Sequence, residues 1–156
     1  MTGKSLRARA LDLLSRREYS RVELTRKLAP HADSAEELDA LLADLTERGW
    51  QSDSRFAEQF AHSRSQKYGT RRIAQALRMK GVDDATIREL AGNGEDEFAT
   101  ARAQWQKKFG QKADSPQERA RQMRFLAARG FDGGVIRRVL ESAGDDDDGA
   151  LDSFDA

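Results

Sequence analysis

The 156 residues contain no cysteine, which excludes disulfides and thiolate metal sites. Histidine occurs only as His31 and His62, and neither has a second ligand three or four residues away that would build a metal-binding helix face. No apolar run approaches the roughly 20 residues of a membrane span. Met1-Thr2-Gly3-Lys4 leads into an amphipathic pattern instead of the apolar core of a signal peptide. There is no G-x-x-x-x-G-K-[ST] loop and no serine on a strand-to-helix elbow. Asp145 to Asp148 lack the spaced ligands and closing glutamate of a calcium loop. The expectation is a cytoplasmic, non-enzymatic chain with no metal, no cofactor, no small-molecule substrate and no membrane partner.

What is present is charge. Charged residues make up 35% of the chain and aromatics 7%, so helices should be amphipathic, with thin buried faces and long solvated ones. The formal net charge of zero hides an asymmetry: all 27 Lys and Arg lie before Leu140, whereas seven of the 27 Asp and Glu follow it. The body is therefore basic, at +7, and the tail acidic. A basic body suggests a polyanion or an acidic protein surface as partner.

The chain also repeats itself. Slid by 49 residues without a gap, Tyr68 falls on Tyr19, Ile73 on Leu24, Leu77 on Leu28 and Ile87 on Leu38. In the other direction Leu77 falls on Leu126, Gly81 on Gly130, Ile87 on Ile136 and Arg88 on Arg137. Self-similarity at a fixed period marks a repeat architecture. Start signals support it: capping-box pairs Ser20/Glu23 and Ser34/Glu37, Thr70 as the cap of the helix that follows Gly69, Asp83, and Ser115-Pro116 with Glu118. The first helix should run from Ser5 to about Arg17, and Pro30 should stop the second. Buried stripes are expected at Phe56, Ala57 and Phe60; at Ile73, Ala76, Leu77 and Met79; and at Met123, Leu126 and Ala127. No stretch alternates as a strand does. The fold should be all-α: three tandem three-helix, helix-turn-helix-like repeats at residues 1–49, 50–94 and 95–142. Gly92-Asn93-Gly94 closes the second, and an acidic tail, residues 143–156, has too little apolar content to order.

One position departs from the pattern. Units one and three place Glu23 and Glu118 in the first turn of their second helix, in accord with the helix dipole, whereas unit two places Arg71 and Arg72 there. Two cations at the positive end cost about 0.3–1 kcal/mol each. A helix N-terminus with two guanidiniums would hold a phosphate or carboxylate. Arg64, Lys67, Arg78 and Lys80 lie nearby, and Tyr68 could stack on a base or a guanidinium. A second reading is a solvated face whose arginine stems cover apolar surface, with Tyr68 packing as Tyr19 does.

In its middle unit the chain carries Asp53-Ser54-Arg55-Phe56-Ala57, then Gly69-Thr70-Arg71-Arg72-Ile73, then Leu77 and Lys80-Gly81-Val82. Ser20, Glu23-Leu24 and Lys27-Leu28 support these from unit one, and Arg129-Gly130-Phe131 with Ile136 from unit three. In their order and spacing, from Leu6 to Leu140, these resemble the RecX family, bacterial regulators of the RecA recombinase. Unit one departs from the pattern, with Ala32 where its sisters have Gly81 and Gly130, so its turn should differ. The resemblance implies an array that binds the RecA filament on single-stranded DNA along its groove and restrains ATP hydrolysis, strand exchange and coprotease activity. The other reading is an autonomous DNA binder, which at this modest basic surplus should hold bare DNA weakly and with strong salt dependence. Deleting residues after Ser142 is expected to strengthen polyanion binding; binding that is unaltered or weaker across several salt concentrations would make the tail a solubility feature or a contact of its own.

Overall fold

The computed structural model describes residues 3–90 and 94–143, and among them every regular element is helical. In chain order these are α1 (Leu6–Leu14), α2 (Arg21–Leu28), a 3-10 turn (Ala29–His31), α3 (Ala35–Glu47), α4 (Asp53–Arg64), α5 (Thr70–Met79), α6 (Asp84–Glu89), α7 (Gly94–Lys108) and α8 (Pro116–Ala128). A last helix, α9, covers 133–143. The helices thus follow one another as three sets of three. The expected tail lies outside the described residues except for Ala143, which is helical and buried. The turn at Gly92-Asn93 also lies outside them.

Local chemistry sets most of the starts. The Ser20 hydroxyl accepts from the Glu23 amide while the Glu23 carboxylate accepts from the Ser20 amide, a complete capping box. Ser34 accepts from the Glu37 amide, but the Glu37 carboxylate reaches one residue further back, to the Asp33 amide at 2.9 Å. Asp83 and Ser115 cap α6 and α8 as expected. α1 stops at Leu14, short of Arg17, where the Ser15 hydroxyl turns back onto the Asp12 carbonyl at 2.7 Å. Pro30 sits inside the 3-10 turn, and Ala32 follows it in an extended conformation, whereas Gly81 and Gly130 have φ of +84° and +89°. The first turn does differ from its sisters.

The chain forms two compact units. One comprises residues 1–62 with 76–90, the other residues 63–75 with those from 91 onward. The core of the first packs Leu24, Leu28, Leu42 and Leu45 with Leu6, Ala10 and Tyr19. The second packs Ala101, Trp105, Leu126, Phe131, Ile136 and Val139, with Phe98, Phe109 and Phe125 at its margin. The repeat positions Leu28, Leu77 and Leu126 are all at most 1% exposed, so one residue per repeat anchors each second helix.

Two expected stripes are corrected. Met79 is 71% exposed, and Met123 and Ala127 are exposed as well. α8 instead buries Gln122 beside Leu126: the Gln122 side-chain oxygen accepts from the Trp105 indole at 2.9 Å, and its amide donates to the Gln111 carbonyl at 3.1 Å. Gln122 occupies the repeat position held by Leu24 and Ile73. A polar residue whose hydrogen bonds are met inside can take a core site that an apolar pattern assigns elsewhere.

Candidate partner-binding site

The turn of each following repeat receives the N-terminus of a second helix, and this joint is made twice. In the first unit, α2 abuts Lys80-Gly81. The Ser20 hydroxyl donates to the Lys80 carbonyl at 2.8 Å, and a Cβ added at Gly81 would collide with Val22. Glu23, 8% exposed, accepts from Lys80 Nζ at 3.1 Å and from Arg17 at 3.2 Å, and the Arg17 guanidinium lies 3.7 Å over the Tyr19 ring. Burial pushes the Glu23 carboxyl up, but hydrogen bonds from Arg17, the Ser20 amide and Lys80 outweigh it and hold the group below the usual glutamate value.

In the second unit, α5 meets Arg129-Gly130 in the same register. The Gly69 amide donates to the Arg129 carbonyl at 2.8 Å and the Arg71 amide to the Gly130 carbonyl at 3.1 Å. The Thr70 amide donates to the Glu97 carboxylate at 3.2 Å, and the Asp132 amide joins it at 3.4 Å. Thr70 is therefore not the cap: the Gly69 carbonyl accepts the first helical bond, from Ile73, and Gly69 is the cap residue. Gly69 cannot carry a side chain, because a Cβ there would stand 2.5 Å from the Gly130 carbonyl oxygen. The helix N-terminus is thus not an open anion cradle. Its Thr70 and Arg71 amides are taken inside the unit, and Glu97 from α7 accepts there in place of a first-turn glutamate.

Arg64, Lys67, Tyr68, Arg71 and Arg72 all lie in this second unit, and Arg78 and Lys80 in the first. Arg72 lies 4.2 Å over the Tyr68 ring and donates to the Ala128 carbonyl at 3.2 Å; Lys67 stands 5.6 Å from the same ring. Arg71, 74% exposed, pairs with Asp132 at 3.4 Å, a contact that at such exposure adds little stability. Arg78 pairs with Asp84 at 3.0 Å, and Lys80 is held by Glu23. Sequence reasoning missed Glu97, Arg129 and Asp132, whose parts are set by approach across the fold. Aligning Arg129 with Lys80 in the repeat would have flagged the second of them. Asp53 and Arg55, the most recognisable motif, turn out to be struts: Asp53 accepts from the Arg21 amide at 2.8 Å and from Gln51, and Arg55 binds Glu18 and the Gly49 carbonyl.

Family models described as the second and third three-helix domains of RecX match residues 52–90 and 95–140. The regulatory protein RecX of Chromobacterium violaceum is 59% identical over 93% of this chain and 95% of its own. The chain belongs to the RecX family. A second RecX relative, from Neisseria meningitidis serogroup B, is 49% identical over 92% of this chain and 94% of its own. The crystal structure of RecX from Lactobacillus salivarius aligns with a TM-score of 0.78 over 89% of this chain and 94% of that one, at 17% identity. Another crystal structure of a regulatory protein RecX gives 0.78 over 87% and 71%, at 20% identity. At such identities the RecX structures speak to the fold alone. Among the described residues no helix is long and apolar enough to cross a membrane, and no group of three or more His, Cys, Asp or Glu is placed to hold a metal ion.

Proposed function

We propose that this RecX-family protein binds the RecA filament on single-stranded DNA and restrains its ATPase, strand-exchange and coprotease activities, acting in the cytoplasm in recombination, DNA repair and the SOS response. It does so by binding alone, without catalysis or cofactor, as a wedge that bridges or displaces protomers. Its repeats span residues 1–49, 50–94 and 95–142. The observation that carries the reading is the exposed cationic group around Tyr68, with Arg71 and Arg72 in the first helical turn, in which the other repeats each keep one glutamate. Arg64 and Lys67 extend that surface. Arg78 and Lys80 are separate contacts, each with a carboxylate already beside it.

A nucleoprotein filament offers acidic protein surface and phosphate together, which suits a basic body better than bare DNA does. The alternative, an autonomous DNA binder, is separated by measuring binding at physiological salt to free single-stranded DNA and to RecA-coated DNA. Clear preference for the coated strand is expected, and equal affinity would refute the filament reading. Arg71→Glu with Arg72→Glu should abolish inhibition of RecA ATPase; undiminished inhibition would remove these two residues from the mechanism.

A further inference from the structure

Positions 23 and 72 are equivalent in the repeat, yet they present opposite charges to the same kind of neighbour. In the first joint Glu23 stands between Lys80 and Arg17, and the charges are balanced inside the chain. In the second joint the equivalents of Arg17, Glu23 and Lys80 are Gln66, Arg72 and Arg129. Arg129 is half-buried between the Phe125 ring at 4.8 Å and the Tyr68 ring at 5.9 Å. Its Nη1 is buried with no acceptor among the described residues. Arg72 lies over the other part of this arrangement, 4.2 Å from the Tyr68 centroid, with only the Ala128 carbonyl as its acceptor among the described residues. The nearby carboxylates are committed: Glu97 to the Thr70 and Asp132 amides, Asp132 to Arg71 and the Gly134 amide. Two guanidiniums therefore share one aromatic ring, and among the described residues neither has a carboxylate. A buried cationic nitrogen without an acceptor is costly and rare in a finished fold.

We propose that Arg72 and Arg129, with Tyr68 beside them, form a receptor for an Asp or Glu side chain of a protein partner. The incoming carboxylate takes the part that Glu23 plays internally one repeat earlier. Arg72 is exposed and receives it first; Arg129 supplies a charge that is partly desolvated and therefore strong. A carboxylate fits better than a DNA phosphate, because the chain's own copy of this joint is completed by a carboxylate. Phosphate tracking along a strand, by contrast, relies on cations in open solvent. The inference rests on the filament reading above and assigns this site to the protein component of that partner.

The test uses the full chain with Arg72→Glu and Arg129→Gln, and Lys112→Glu as a charge-matched control in an exposed loop of the same unit. Arg72→Glu rebuilds the internal pair, because a glutamate at the third helical position can face Arg129 as Glu23 faces Lys80. It should raise the melting temperature by about 2–4 °C while weakening binding to RecA-coated DNA at least tenfold. Arg129→Gln should weaken the same binding with the fold retained, and Lys112→Glu should change it less than threefold. Affinity for bare single-stranded DNA should fall no further in Arg72→Glu than in Lys112→Glu. An equal fall on bare and coated DNA would identify the ligand as phosphate and overturn the proposal, as would a lowered melting temperature in Arg72→Glu. Filament preference in the wild type that Arg72→Glu retains overturns this proposal alone. No preference in the wild type overturns the filament reading, and this proposal with it.

Discussion

Gly130→Ala should destabilise the second unit by about 3–4 kcal/mol, more than any other single methyl addition among the described glycines of that unit except at Gly69. Two effects combine. Gly130 has φ of +89°, where an L-residue is strained by about 1–2 kcal/mol. Its Cβ would also stand 2.5 Å from the Arg72 amide nitrogen and 2.9 Å from the Arg72 Cα, both backbone atoms inside a helix that cannot yield cheaply. The bonds lost would be those that seat α5, from the Gly69 and Arg71 amides to the Arg129 and Gly130 carbonyls. Denaturant unfolding checks the magnitude, and hydrogen exchange at Gly69 and Arg71 checks the place. Gly49→Ala separates the two causes, since Gly49 has φ of +76° but nothing within 4 Å of its would-be Cβ. Gly133, with open space, should tolerate alanine. A Gly130→Ala cost no greater than that of Gly49→Ala would show that the close approach contributes nothing.

That comparison also marks where the sequence was informative. Caps made by a side chain onto an amide three residues ahead, as at Ser20, Asp83 and Ser115, are local chemistry and could be read directly. So could the anchors Leu28, Leu77 and Leu126, because burial follows the helical period. The start of α5 could not. Its cap is a glycine whose amide is taken by the Arg129 carbonyl, the Thr70 amide beside it is taken by Glu97, 27 residues away, and no local signal announces a helix end finished by such distant acceptors. Gln122 was hidden for a related reason: its burial is licensed by the Trp105 indole, 17 residues back. The cationic surplus at Arg71 and Arg72 was visible, but not that the Thr70 and Arg71 amides beside it already have acceptors within the unit. That Arg72 and Arg129 both lie against the Tyr68 ring appears only in the folded chain.

The joint that keeps its glutamate offers the complementary measurement. Glu23→Gln should cost about 2–3 kcal/mol at neutral pH, lowering the melting temperature by roughly 5–10 °C. The glutamine oxygen can still accept from the Ser20 amide, but its NH2 group would confront Arg17 or Lys80, leaving a partly buried cation uncompensated. The pH dependence follows from the lowered carboxyl of the folded chain. A group whose folded value lies below its unfolded value contributes stability fully above the unfolded one, about 4.3 for glutamate, and loses it as pH falls through the folded one. The gap between wild type and Glu23→Gln should therefore be constant from pH 7 to about 5 and close as the solution is acidified below about 4. Glu36→Gln, at an exposed position in the first turn of α3, should show no such closing gap of comparable size. A gap that stays constant down to pH 3 would mean that Glu23 acts through packing and not through charge. The electrostatic comparison between Glu23 and Arg72, on which the receptor in the second unit depends, would then lose its template.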